Sequence, residues 1–223
     1  TWIEGTYVPD VELLASLWDE YRRVGKGYGH LLAFGVFEQD NASSPGLLLK
    51  RGRVVDGAPE VLPVDASKIL EQVRHSWYAE ADGNKPILES DTHPVYPKPG
   101  AYSWLKAPRY GGVPYEVGSL ARMPVTGDYR GGVSVMDRHL ARAREALKIA
   151  LAMRVWLGQL PTDTGAYTHR ENPGAATSDG LTEAPRGALG HWLQVADTRI
   201  AKYQVVTPTC WNLSPRDDAG KPG

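Results

Sequence analysis

One cysteine, Cys210, stands in a chain of 223 residues, and it limits the architecture more than any other feature. A single thiol cannot close an internal disulfide, complete a four-cysteine zinc site or hold an iron–sulfur cluster, because each needs several sulfur ligands from the same chain. The fold must rest on apolar burial and hydrogen bonds, and any sulfur-bound metal must draw its ligands from elsewhere. Cys210 itself, between Thr209 and Trp211, reads as a small packing residue. With 42% hydrophobic residues the chain can build one substantial core or two small ones. The 24 glycines and 17 prolines imply that much of the chain is loop and corner.

Charge narrows the partners. Twenty-five basic against twenty-six acidic residues leave a net charge of −1, which favours neither a nucleic-acid groove nor an anionic membrane surface. Small molecules and other proteins remain. No apolar run approaches the ~18 residues of a membrane span, and the N-terminus carries neither a basic region nor an apolar signal core, so a soluble chain is expected. The sequence opens TWIEGTYVPD and closes RDDAGKPG, as expected of an excised piece of a longer protein. Seven Trp and eleven Tyr against two Phe suit a large protein interface, where rings with a polar handle are common.

Periodicity predicts a mixed α+β chain, with long helices, short antiparallel strands and a hairpin. Asp10 is placed to cap a helix over 11–24, with Leu13, Leu14, Leu17, Trp18 and Tyr21 at helical spacing and Gly25 and Gly27 ending it. Residues 30–39 suggest one short strand, 46–55 a hairpin around Arg51-Gly52, and KILEQVRHSWY a helix capped by Asp65 or Ser67. The proline-rich stretch 80–100 reads as an irregular wrap. The clearest element is a helix over 136–160, started by Ser134 with Asp137 and stopped by Gly158 with Pro161; Arg138, Arg142, Arg144, Glu145 and Lys148 form its wet face. Residues 161–180 read as a loop of about twenty residues.

HWLQVA and IAKYQVV, joined at Asp197-Thr198-Arg199, predict an antiparallel hairpin. Such a hairpin carries Pro185, Arg186 and Gly187 to the same end as Thr207, Pro208 and Thr209. Two readings follow: a corner where a fixed cation and two hydroxyls receive an anion, or a structural corner in which Arg186 simply pairs with Glu183.

TEAPRGALGHW followed by YQVVTPTCWNLSPRD resembles the late part of the large subunit of nickel–iron hydrogenases. VRHSWY at 73–78 and AYSWLKAPRYGGVPYEVGSLARM at 101–123 supply earlier landmarks of that family in the right order. The resemblance covers the chain from about residue 65 and implies part of a hydrogenase large-subunit fold. Residues 1–160 would be a mixed helical region, and 161–223 a loop plus β-hairpin lid over the nickel–iron site.

The resemblance also implies chemistry. The family's reaction is H2 ⇌ 2H+ + 2e−, at a nickel–iron centre held by two Cys-x-x-Cys pairs, its iron carrying carbon monoxide and cyanides. Neither pair is in this sequence, so no nickel ligand is expected here. Arg186 would lie above the metals as the catalytic candidate, with Pro185 lining the pocket. Thr207, Pro208 and Thr209 would face the cyanides. The backbone carbonyl of Val205 matches a position that ligates a buried magnesium or iron. The implied partner is an iron–sulfur small subunit, with no membrane span of the chain's own; the compartment is open between the cytoplasm and a membrane reached through partners. His75, His93 and His191 lack ligand spacing and read as satisfied residues. Two alternatives are a metal-free relative serving as a core or scaffold subunit of a respiratory complex, and a stand-alone binding domain.

Overall fold

The computed structural model describes residues 1–39, 46–163, 165, 167 and 169–223. The chain opens with a π-turn, Ile3–Tyr7, that runs straight into α1, Val8–Leu17. Pro9 lies in the first turn of α1, where its missing N–H costs little. The helix expected over 11–24 therefore begins and ends early: Asp10 lies inside it, and after Trp18 the chain tightens into a 3₁₀ turn, Asp19–Arg22. Val11 and Ala15, one turn apart, face the core, while Leu13, Leu14 and Leu17 are exposed. The apolar stripe read from the sequence points outward.

The single strand expected at 30–39 is divided at Gly35 into β1, Leu31–Ala33, and β2, Val36–Glu38. β3, Leu47–Leu49, and β4, Gly52–Val54, do not pair with each other as the hairpin reading expects. β1 pairs with β4 and β2 with β3, all antiparallel, and Arg51 anchors the corner by donating to the Phe34 carbonyl at 2.6 Å.

Beyond Asp65 the expected helix is absent. A 3₁₀ turn, Ala66–Lys68, capped by Asp65, which accepts from the Ser67 amide, leads into β5, Ile69–Gln72. Burial alternates along β5 with Ile69 and Glu71 inward, and a carboxylate at an inward position conceals the period of two that marks a strand. β5 pairs antiparallel with β6, Ala107–Tyr110, all four of whose residues are buried. Between them, 80–100 is the irregular wrap expected, with 3₁₀ turns at Glu80–Asp82 and Ile87–Glu89.

α2, Ser119–Thr126, is buried from Ser119 to Val125, and a helix buried all round carries no amphipathic stripe to announce it. Gly127 ends it in the left-handed conformation, and the amides of Gly127 and Asp128 both reach the Met123 carbonyl, at 3.0 and 2.9 Å. α3, Val135–Gln159, follows, its start fixed by the reciprocal capping box of Ser134 and Asp137. Met136, Leu140, Ala141 and Ala143 bury its first half.

β7, Ala176–Ala184, β8, Gly187–Ala196, and β9, Arg199–Val206, form one antiparallel sheet in chain order. The β8–β9 hairpin is as expected, with Asp197 and Thr198 at positive φ in its turn. β7 takes the last part of the expected loop; its residues 176–180 are all exposed, so no in–out alternation marks them. Positions 164, 166 and 168 of that loop lie outside the described residues. α4, Pro208–Asn212, comes next.

Two buried clusters support this frame. One joins α1, β1, β4, α2 and the first half of α3 through residues such as Val11, Leu31, Val54, Met123 and Leu140. The other joins Leu32 and Phe34 to Ile69, Val117, Val206 and Trp211.

Candidate functional site

In the register of β7 and β8, Ala184 lies opposite Gly187, which leaves Pro185 and Arg186 as a two-residue turn. Gly187, at φ +138°, presses against the 117–118 backbone: a Cβ there would lie 2.7 Å from the Gly118 nitrogen and closer still to the Val117 side chain. Glycine is the residue that permits both the conformation and the approach. From the other corner, the Asn212 side chain accepts from the Val117 amide at 2.9 Å and donates to the Val117 carbonyl at 3.0 Å. The two corners thus dock on the same piece of backbone, 117–118.

A cleft of about 1350 Å³ opens there, and Pro185, Arg186, Asn212 and Leu213 line it. Arg186 is exposed, and no hydrogen bond or ion pair engages its guanidinium among the described residues. The pairing with Glu183 that the sequence allowed is taken by Arg122, at 2.8 Å. Thr207, Pro208 and Thr209 do not line this cleft. Pro208 is buried at the start of α4, Thr209 is exposed, and the Thr207 hydroxyl meets Cys210 Sγ at 3.3 Å. The structure therefore gathers Pro185 and Arg186 on the cleft and sets the Thr207–Thr209 segment beside it, on α4.

The cleft wall holds residues that the sequence reading missed. Arg122, on α2, lies between two carboxylates: its Nε and Nη2 donate to Glu145 and its Nη1 to Glu183. All three side chains are buried, with Ser119 Oγ donating to Glu145 at 2.6 Å. Burial raises the Glu183 pKa against the opposing pull of Arg122. Burial works to lower the Arg122 pKa, but Glu145 and Glu183 outweigh it, and the result is raised. Glu145, expected on the wet face of the long helix, is instead buried opposite Arg122. The available signal was a cation, Arg122, inside the run LARMPV, which is otherwise apolar.

A second polar group lies behind β9. Glu71 is buried 3.8 Å from Lys106, which donates to Ser90 Oγ and to the Asp91 carbonyl; burial pushes the Glu71 carboxyl up to about 7. Gln204 donates to the Ser90 carbonyl at 2.9 Å, which brings this group next to Val205, half-buried in β9 opposite His191. The three histidines are satisfied: His75 at Gly100, His93 at Asp82 and His191 at Tyr203. Among the described residues, no cluster of three or more His, Cys, Asp or Glu could hold a metal ion, and no helix is long and apolar enough to cross a membrane.

The sequence profile of the family described as nickel-dependent hydrogenase matches residues 1–132 and 128–223. The chain belongs to the nickel-dependent hydrogenase family. The chain is 37% identical to the large subunit of a periplasmic [NiFeSe] hydrogenase from Desulfomicrobium baculatum, over 97% of this chain and 46% of that subunit. It is 33% identical to an uptake hydrogenase large subunit from Bradyrhizobium diazoefficiens, over 99% and 46%. The solved Ni-Fe-Se hydrogenase of Desulfovibrio vulgaris Hildenborough superposes with a TM-score of 0.90 at 35% identity, covering all of this chain and 51% of that one. The mixed α+β architecture with short antiparallel sheets is that of the hydrogenase large subunit over half its length, and the chain spans about half the length of the curated relatives it matches.

Proposed function

We propose that this hydrogenase-family chain forms the lid side of a nickel–iron site in a large subunit that oxidises H2 reversibly, and that it supplies donors above the metals and none of the metal's thiolates. The observation that carries the reading is Arg186, whose guanidinium is unengaged among the described residues and lies on the wall of a large cleft. The donor set does not fit nickel itself. One thiol, hydrogen-bonded to the Thr207 hydroxyl, cannot replace the several sulfur ligands that soft metals take from thiolate sites. The same residues do fit a role around the group. A guanidinium offers five fixed donors to an anionic acceptor, and Pro185 beside it removes a backbone donor and stiffens the turn.

When bound, the centre supplies the redox chemistry H2 ⇌ 2H+ + 2e−. The chain's own residues then act electrostatically. Arg186 places a positive charge over the cleft and acts there as a hydrogen-bond donor and a field source. Thr209, exposed at the start of α4, offers a hydroxyl to the cyanides, with Thr207 and Pro208 shaping that edge. The Val205 carbonyl is an oxygen donor suited to a hard cation such as magnesium, with the Glu71–Lys106 pair close behind it. The partner in this reading is an iron–sulfur small subunit. The outward leucines of α1 and the exposed end of α3 support a chain that is covered in its assembly.

The experiment is a metal analysis. This chain, purified alone after expression with nickel, is expected to carry well under one equivalent of nickel, unchanged by Cys210→Ser. The full-length large subunit is expected to carry about one. Near-stoichiometric nickel in the short chain, lost with Cys210, would contradict the assignment.

A further inference from the structure

We propose that Arg122 is the positioning residue that aims Arg186 into the cleft, an inference that rests on the role given to Arg186 above. The polar acceptors around Arg122 include three consecutive residues that lead into Arg186. Its Nη1 donates to the Glu183 carboxylate at 2.8 Å and to the Ala184 carbonyl at 3.1 Å, and its Nη2 to the Pro185 carbonyl at 3.2 Å. The opposite edge of the same guanidinium grips Glu145 on α3, where Nη2 also reaches Ser119 Oγ at 3.4 Å. The other Glu183 oxygen accepts from the Phe34 amide at 2.6 Å, so the carboxylate is held from both sides.

The backbone entering the turn is thus fixed from behind by one planar cation. The backbone leaving it is fixed by Gly187 against Val117 and Gly118. Among the described residues the Arg186 guanidinium has no hydrogen-bond or ion-pair partner, so the path of 183–187 sets where it points. Arg122 itself, on α2, is buried against α3 and β7, and the two carboxylates that face it keep it charged. Lysine cannot serve: a compact ammonium has three donors at one point and cannot span two carboxylates and two carbonyls set around a planar fork.

The test uses the full-length large subunit assembled with its small subunit, comparing Arg122→Lys with Arg186→Lys. If Arg122 positions Arg186, Arg122→Lys retains nickel, lowers turnover per nickel by roughly 10- to 100-fold, as small misplacements in active sites do, and shifts or broadens the cyanide infrared bands in the manner of Arg186→Lys. Should Arg122→Lys fail to assemble, Glu145→Gln replaces it; loosening the rear grip on Arg122 is expected to move the same bands by less. If Arg186→Lys changes bands and turnover while the Arg122 or Glu145 variant only loses yield or melting temperature, Arg122 is merely structural and the inference is overturned. If Arg186→Lys itself changes nothing, the role of Arg186 falls, and the positioning role falls with it.

Discussion

The first half of α3, 135–147, carries five charged residues and the second half, 148–159, only two, yet the first half is the one that is buried, a glutamate included, while the end leaves Leu151, Val155 and Leu157 exposed. Glu145 is 6% exposed and Leu157 68%. Hydrophobicity does not explain that inversion; what lies opposite does. Glu145 faces Arg122 of α2, a cation that can offset its desolvation, whereas Leu157 faces no described element that covers it. α1 repeats the lesson, burying Val11 and Ala15 toward α3 and presenting its leucines outward. The inner region is a finished core with a polar clamp set into it, and the outer faces leave apolar side chains uncovered.

Paired truncations break this comparison most severely if it is wrong. Leu140→Ala, in the buried half of α3, is expected to destabilise the purified chain by about 2–5 kcal/mol, the usual cost of a core cavity. Leu157→Ala, in the exposed end, is expected to change it by less than about 0.5 kcal/mol. Denaturant unfolding of both variants measures the gap, and equal losses would show that the end of α3 is packed after all.

The buried carboxylates sharpen the contrast with a smaller effect. Glu71 has its pKa raised by burial from 4.5 to about 7, so between those values the folded chain holds more protons than the unfolded chain. Stability from this group is therefore complete below about pH 4.5 and is lost as pH rises through 7. Glu71→Gln is expected to flatten the fall in melting temperature across that window and to match or exceed the parent chain above it. A parallel pH profile in the variant would mean that Lys106 already compensates the charge.

The smallest effect is expected at Thr209. Thr209→Val removes a hydroxyl with little change in shape; in the full-length subunit it is expected to move the cyanide infrared bands by a few wavenumbers and turnover by a few-fold at most. Unmoved bands would take Thr209 out of the lid and leave only the cleft side of the corner.

Much of this was legible in the sequence where pattern and chemistry agree. The capping box of Ser134 and Asp137, the β8–β9 hairpin and the irregular wrap at 80–100 all follow from local signals. That the two corners share one end of the hairpin was legible too, but which residues face the cleft was set by tertiary packing: Asn212 and Gly187 both reach the backbone at 117–118, and the Thr207–Thr209 segment does not line the cleft. Elements were misread where the inward position is not apolar. Glu71 made β5 resemble a helix, α2 has no polar face, and the start of β7 has no buried one. The Arg122–Glu145–Glu183 clamp draws on residues far apart in the chain, and only the fold brings those charges together.

The central claim, that this chain contributes a charged donor over the nickel–iron site, is tested most directly by Arg186→Lys in the full-length enzyme, with turnover per nickel and the cyanide bands read on the same sample. Lysine keeps the charge but loses the planar fork, and removing one well-placed donor from an active site commonly costs ~10²-fold or more. The account predicts a loss of that order, with displaced bands and nickel content unchanged. Wild-type turnover with unmoved bands would contradict it.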